Sequence, residues 1–522
     1  MKRTTLCCLG ALAFCIALPL MAQTGAADGQ PPQAMASKLT QEQIHKVEDL
    51  PTLYHLAETY QGSADMQRLS WTLEQLVRAI PMSGDVRLAL AASYSNLDEK
   101  SKAYDTLLKM QTQGFGYNLT DDARFTKIHG TRVWDYVVAN LRANLKPFGE
   151  GKNAFILPKG DFLFESMAWD SKRERFLLGS VREGKVYLAD KQGKIDAFIS
   201  PDANNGLWSI YAMAVDPERD LLYLASTASQ YFKDFKAEDF GKAGIFKFQL
   251  SSGKFLDKVI LPAPTEGANT LSSMTISRNG QVFAADGIRS IIYRLDGKTL
   301  KPMLQHPDLT NLRGMTVSGD GKTLYFADYV RGVYGIDLAT SKPFDVKYDL
   351  NQLVLPGIDG LYWYDNTLVA IEPGMSPMRI IRLHLSKDGR SIERFMPIDA
   401  GSPSFPLPTN GAIVGDNLYF FADSHRNFYD GYGVPKSEFA GSPQHVFRSD
   451  LRFAWKETLA RPALGEKQVG GPTILGADQQ KGDPRKLLGD KVDDFGRKPD
   501  KATSDKDAKP APPVEKPAGG KQ

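Results

Sequence analysis

The sequence predicts an all-β six-bladed propeller preceded by an α-helical domain. Three observations carry this. A strand, turn and strand unit recurs six times between Asn153 and about Arg452, matched residues repeat at a 34-residue spacing before it, and the apolar periodicity changes after Gly149.

In the helical part, read over residues 38–147, apolar residues from about Thr40 to Leu145 recur every three or four positions, the pattern of amphipathic helices. Leu56, Ala57 and Tyr60 return as Leu90, Ala91 and Tyr94, and Leu69 and Leu73 return as Ala103 and Leu107. Small residues at 57 and 91 let paired helices approach, the tyrosines fill the space between them, and Pro81 stops the second helix. The segment resembles two tetratricopeptide units with a capping helix over Trp134–Leu145. A plain helical bundle capping the propeller satisfies the same pattern, because two units are few for a solenoid.

After Gly149 the period becomes two, with short Val, Ile, Phe and Tyr runs separated by turns such as Asn279-Gly280 and Asp320-Gly321. The recurring unit starts at Ser166-Met167-Ala168-Trp169, Ala212-Met213-Ala214-Val215, Ser273-Met274-Thr275-Ile276, Gly314-Met315-Thr316-Val317, Gly360-Leu361-Tyr362-Trp363 and Gly411-Ala412-Ile413-Val414. Intervals of 41 to 61 residues suit four-stranded blades with variable loops, and residues 152–460 hold six of them. Asn153–Leu157 is one candidate for the strand that completes the last blade; Phe453–Leu459 competes for the same place.

The two ends read differently. Lys2 and Arg3 precede an uncharged apolar run from Leu6 to Met21 and then small residues, an export signal over residues 1–22 with cleavage as late as 27. The signal makes the expected location extracytoplasmic, periplasmic or secreted, and since no later stretch has the length of a membrane anchor, no transmembrane anchor is expected in the mature chain. All three cysteines, Cys7, Cys8 and Cys15, lie inside the signal, which removes disulfides, cysteine nucleophiles and thiolate metal sites from the mature chain. Residues 465–522 form the expected disordered tail. Over 481–522 there are eleven Lys or Arg, eight Asp or Glu, six Pro and one aromatic, too little apolar surface to fold. The net charge of +3 is small for 522 residues, and nucleic acid is not an expected partner.

A propeller points the start of every innermost strand at its axis, so the residue two positions before each repeated Met, Leu or Ala belongs to one ring. These are Glu165, Tyr211, Ser272, Arg313, Asp359 and Asn410. Trp208 flanks Tyr211. Acids closing the second strand of a blade, Asp286, Asp328 and Asp423, are expected to bond neighbouring backbone. His425 is read as structural before catalytic.

The strings FESMAWD (Phe164–Asp170), LRGMTVSGDGKTLYFAD (Leu312–Asp328) and IDGLYWYDNTLVAI (Ile358–Ile371) resemble the gluconolactonase and senescence-marker-protein (regucalcin) family of six-bladed propellers. The resemblance covers about 300 residues and implies calcium- or zinc-dependent lactone hydrolysis, with Glu165 and Asp359 as metal ligands and Asp359 as general base. It departs at the third ligand. Arg313 stands where the family has an asparagine, Ser272-Ser273 replaces an Asn-Asp pair, and Asn410-Gly411 lies in another blade. Arginine offers no oxygen ligand, and a fixed positive charge about 5 Å from a divalent ion costs roughly 7 kcal/mol at an effective dielectric of about 20. The expectation is therefore that no metal is held and that Arg313 is the counterion of both carboxylates.

The leading functional expectation is a propeller that binds a small polar or anionic molecule, or a protein partner, at the channel mouth through Glu165, Trp208, Tyr211, Ser272, Arg313, Asp359 and Asn410. The alternatives are a lactone hydrolase using Asp359, and an assembly scaffold that takes a protein partner through the helical repeats.

Overall fold

The computed structural model describes residues 39–436 and 442–453. The segments expected to be an export signal and a disordered tail lie outside the described residues, as does nearly all of Phe453–Leu459.

Among the described residues six α-helices come first: α1 (Gln41–His45), α2 (Leu50–Gly62), α3 (Met66–Ala79), α4 (Gly84–Asn96), α5 (Lys100–Thr112) and α6 (Arg132–Ala143). Helices α2, α3, α4 and α6 each start on a side-chain oxygen, from Asp49, Asp65, Ser83 and Thr131, that accepts a first-turn amide left unpaired by the helix itself. Helix α3 ends just before Pro81. Leu56, Tyr60, Leu69, Leu73, Leu90, Ala91, Tyr94, Ala103 and Leu107 all enter one core. Leu141, a further 34 residues after Leu107, is buried in that core too, on α6. Among the described residues no helix is long and apolar enough to cross a membrane.

The rest is a six-bladed β-propeller. Each blade is one four-stranded antiparallel sheet, and its innermost strand is Phe164–Asp170, Ser209–Asp216, Leu271–Ile276, Leu312–Val317, Gly360–Tyr364 or Thr409–Val414 for blades 1 to 6. The ring closes through the strand Lys152–Ile156, which pairs with His445–Asp450 as the outermost strand of blade 6. Of the two competing segments it is the earlier one that closes the ring, so the first β-segment is locked to the last. Blade seams are apolar. Between blades 6 and 1, for example, Phe155, Phe164, Phe176 and Phe421 are buried together.

The helical region is tied to the mouth end of blades 4 and 5. In these blades Leu312 pairs with Asp328 and Gly360 with Ile371, so the connections that follow the second strands return to the level where the innermost strands begin. Tyr329, Val330 and Met375 from these connections, and Val354 from the link between blades 4 and 5, pack into the helical core. Gln113 Nε2 donates to the Leu350 carbonyl at 2.7 Å, and the Gly116 amide donates to the Ser376 carbonyl at 2.7 Å. Arg379, 1% exposed, pairs with the buried Glu372 and also donates to the carbonyls of Gln113 and Val354, each at 3.2 Å.

The junction between the helices and the closing strand wraps around Asp399, which accepts the Gly151 amide at 2.8 Å. Gly149, at φ +107°, lies so close that a Cβ there would sit 2.0 Å from Asp399 Oδ1, so only glycine fits. Burial outweighs the opposing influence of the Ser449 hydroxyl and the Gly151 amide and pushes this carboxyl up to about 6. A folded-state value above the unfolded one means that stability is full below about pH 4 and is lost as pH rises through about 6. Asp399→Asn should therefore gain about 1 to 3 kcal/mol at pH 7.5 and almost nothing at pH 4. Denaturant melts at the two pH values check this, and an equal gain at both would contradict it.

Candidate functional site at the channel mouth

The ring is built by a backbone device. Strand pairing skips one residue at Glu165, Tyr211, Ser272 and Asn410, and skips Arg313 with Gly314, on five of the six innermost strands. A bulge leaves its extra residue out of the ladder and re-aims its side chain. Asp359, just before the innermost strand of blade 5, keeps its amide on the Ile371 carbonyl and gives its own carbonyl to the Gly314 amide. Gly314 permits that approach. A Cβ there would sit 2.2 Å from the Leu361 amide nitrogen.

Ring members differ in what they do. Asn410 Nδ2 donates to the Glu165 carbonyl at 2.9 Å, and Ser272 Oγ reaches the Leu312 carbonyl at 3.4 Å; both stitch neighbouring blades. Tyr211 is buried and its hydroxyl donates to Ser229 at 3.0 Å. Burial pushes that hydroxyl up to about 12, with Arg426 opposing. Trp208 stands apart from the ring's polar contacts. Its indole donates to Asp239 at 3.2 Å and its ring meets Phe246 edge-on.

The charged residues form two ion pairs where the sequence predicts one cluster. Arg313 Nη1 lies 3.4 Å from Asp359 Oδ1, and Asp359 Oδ2 accepts a close hydrogen bond from the Thr409 hydroxyl. Glu165 is paired with Arg426 instead, Nη2 to Oε2 at 2.8 Å, and also accepts from Ser424 at 3.3 Å. The expectation that Arg313 serves both carboxylates is thus corrected: two arginines share that work. Each guanidinium lies near a tyrosine ring, Arg313 5.7 Å from Tyr329 and Arg426 5.9 Å from Tyr211. Glu165 holds Arg426 even more firmly protonated than usual, with Tyr211 and Asp359 adding to the field. Burial pushes Tyr329 up to about 12, with Asp359 adding to it and Arg313 opposing.

The strand repeat does not reveal Arg426, because this residue lies on no innermost strand. It sits in a 3-10 turn, His425–Phe428, early in the connection after the second strand of blade 6, and this turn brings it to Glu165. The signal that could have found it is the length of that connection. His425 beside it is 5% exposed and held to about 4 by burial, so it is neutral at pH 7. Asp286 accepts the amides of Thr270, Ile288 and Arg289, and Asp328 those of Thr310, Asn311, Val330 and Arg331, the backbone role expected of them. Asp423 lies two residues past the end of its strand, and burial raises its carboxyl while His445 opposes.

The donor set does not fit a divalent cation. Both oxygens of Glu165 and of Asp359 already face an arginine or a hydroxyl, and among the described residues no three His, Cys, Asp or Glu stand together as a ligand group.

These features define a six-bladed propeller with two arginine–carboxylate pairs at its mouth. No protein-family model and no curated protein sequence matches the chain. Its fold is similar to that of a gluconolactonase from Xanthomonas campestris, at 12% identity over 59% of this chain and 92% of that one, with a TM-score of 0.39. It is likewise similar to virginiamycin B lyase from Staphylococcus aureus, at 14% identity over 52% and 80%, with a TM-score of 0.37. A luciferin-regenerating enzyme shares 16% identity over 56% and 92%, with a TM-score of 0.38. At such identities the likeness concerns the fold alone.

Proposed function

We propose that the protein is an exported binding propeller that takes a small anionic, polyhydroxylated molecule at the channel mouth without a metal. The observation that carries this is Arg313. Its Nε is buried without a hydrogen-bond partner among the described residues, its ion pair with Asp359 is long, and its side chain is still 26% exposed. A guanidinium with a donor to spare beside an aromatic ring suits a carboxylate or phosphate, and a hydrogen bond to a charged group contributes about 1.5 to 3 kcal/mol. Glu165 and Asp359 suit ligand hydroxyls. We read the helices as tetratricopeptide-like in spacing and as a wall of the mouth, since Tyr329 touches both the helical core and Arg313.

Thermal melts of the mature protein with gluconate, galacturonate, their parent sugars and gluconolactone test the reading. The acids should raise the melting temperature, the neutral sugars should not, and Arg313→Ala should remove the effect. Hydrolysis of the lactone that is lost in Asp359→Asn would replace this reading with the hydrolase. No stabilisation by any of the acids would overturn it.

A further inference from the structure

We propose that Arg182 is the positioning residue of the mouth, a latch that crosses two long loops over blade 1 and thereby seats Arg426 on Glu165. The proposal rests on the binding reading for its purpose but not for its geometry.

Blade 1 has a short connection after its second strand, residues 181–185, whereas its neighbours have long ones, 228–242 in blade 2 and 422–444 in blade 6. Fixing each residue of a long surface connection costs conformational entropy. The described parts of these two are held by one buried guanidinium. Arg182 is 7% exposed, and its Nε and Nη2 grip the two oxygens of Asp161 at 2.9 and 3.2 Å. Its Nη1 donates to the Tyr231 carbonyl of the blade 2 loop at 2.5 Å and to the Gly433 carbonyl of the blade 6 loop at 2.8 Å. Its own carbonyl accepts the Lys233 amide at 2.8 Å.

The crossing is tight. Gly433, at φ +76°, has no room for a side chain: a Cβ would lie 2.5 Å from the Gln230 carbonyl oxygen and 2.7 Å from Tyr231 Cα. Tyr429 closes the other side, with its ring 5.0 Å from the Arg182 guanidinium and its hydroxyl donating to Asp161 at 2.5 Å.

Both loops then deliver residues to the ring. Three positions before Tyr429, Arg426 pairs with Glu165 and lies near Tyr211; two positions before Tyr231, Ser229 receives the Tyr211 hydroxyl. The side-chain partners of Glu165 and Tyr211 thus hang from one crossing point. Lysine cannot replace Arg182, because a single ammonium cannot reach a carboxylate and two carbonyls in a planar fork.

Hydrogen exchange of the full chain, mapped by peptide, tests the latch together with phenylglyoxal labelling of Arg426 read by mass spectrometry. In Arg182→Lys, exchange over 229–236 and 425–436 should rise about tenfold, with the helices and blades 3 to 5 unchanged. Labelling of Arg426 should be several-fold faster. Tyr429→Phe should show the same two effects more weakly, and it serves if Arg182→Lys does not fold. Unchanged exchange in the blade 6 loop, or loosened loops with unchanged Arg426 labelling, would overturn the proposal. Neither readout uses a ligand, so failure of the acids to bind would sink the binding reading alone.

Discussion

Arg379→Met should be the most damaging single substitution, lowering stability by about 3 to 5 kcal/mol. Arg379 is 1% exposed and Glu372 is fully buried, so removing the cation strands a carboxylate that has no water to turn to. Glu372 Oε1 already lacks a partner among the described residues, and the carbonyls of Gln113 and Val354 lose their donor as well. Because Gln113 belongs to the helical region, the loss should appear as undocking of helices from blades 5 and 4.

The pH dependence gives this prediction a sign. Burial raises the Glu372 carboxyl and Arg379 opposes that rise, so without the arginine the group should prefer its proton more strongly. A folded-state value above the unfolded one leaves stability intact in acid and erodes it as pH rises. Arg379→Met should therefore be worse at pH 8 than at pH 5. The double variant with Glu372→Leu should recover much of the loss, since replacing both members of a buried pair by apolar groups is often near neutral. Denaturant melts followed separately by helical and aromatic signals measure both effects. Equal losses in single and double variants would mean that the pair itself is not what holds the junction.

The second large effect is expected at the mouth. Arg426→Met removes the cation from Glu165, whose side chain is 7% exposed; the arginine is 30% exposed, so solvent takes up part of the loss, and about 1 to 3 kcal/mol of stability should go. Affinity for gluconate should fall about tenfold to a hundredfold, the range expected when a charge-assisted hydrogen bond is lost. If Arg313 and Arg426 hold the same anion, the double variant should lose less than the sum of the two singles. Strict additivity, measured by calorimetry, would place the two arginines on separate ligands or leave one of them purely structural.

Arg379 also shows how one repeated position is adapted. The residue closing the second strand pins backbone in blades 3 and 4, through Asp286 and Asp328. In blade 5 the same place holds Glu372, which uses its charge to fix an arginine that reaches into the helical region.

The local repeats are legible in the order of residues along the chain. Alternation of apolar residues, turn residues such as Asn279-Gly280 and the sixfold Ser/Ala/Gly start of each inner strand determine blades, because those patterns act over a few residues. The blade count and the ring positions Glu165, Tyr211, Ser272, Arg313, Asp359 and Asn410 follow from that repetition. What the side chains pair with depends on contacts far apart in the chain. Arg426 reaches Glu165 across 261 residues and Arg379 reaches Gln113 across 266. No short-range pattern encodes such meetings. The residue order is thus enough to specify a propeller with a charged ring, whereas the division of the two carboxylates between two arginines, one of them on a returning loop, arises in the folded chain alone. Loop direction is set by packing against neighbouring blades, and packing is a property of the folded whole.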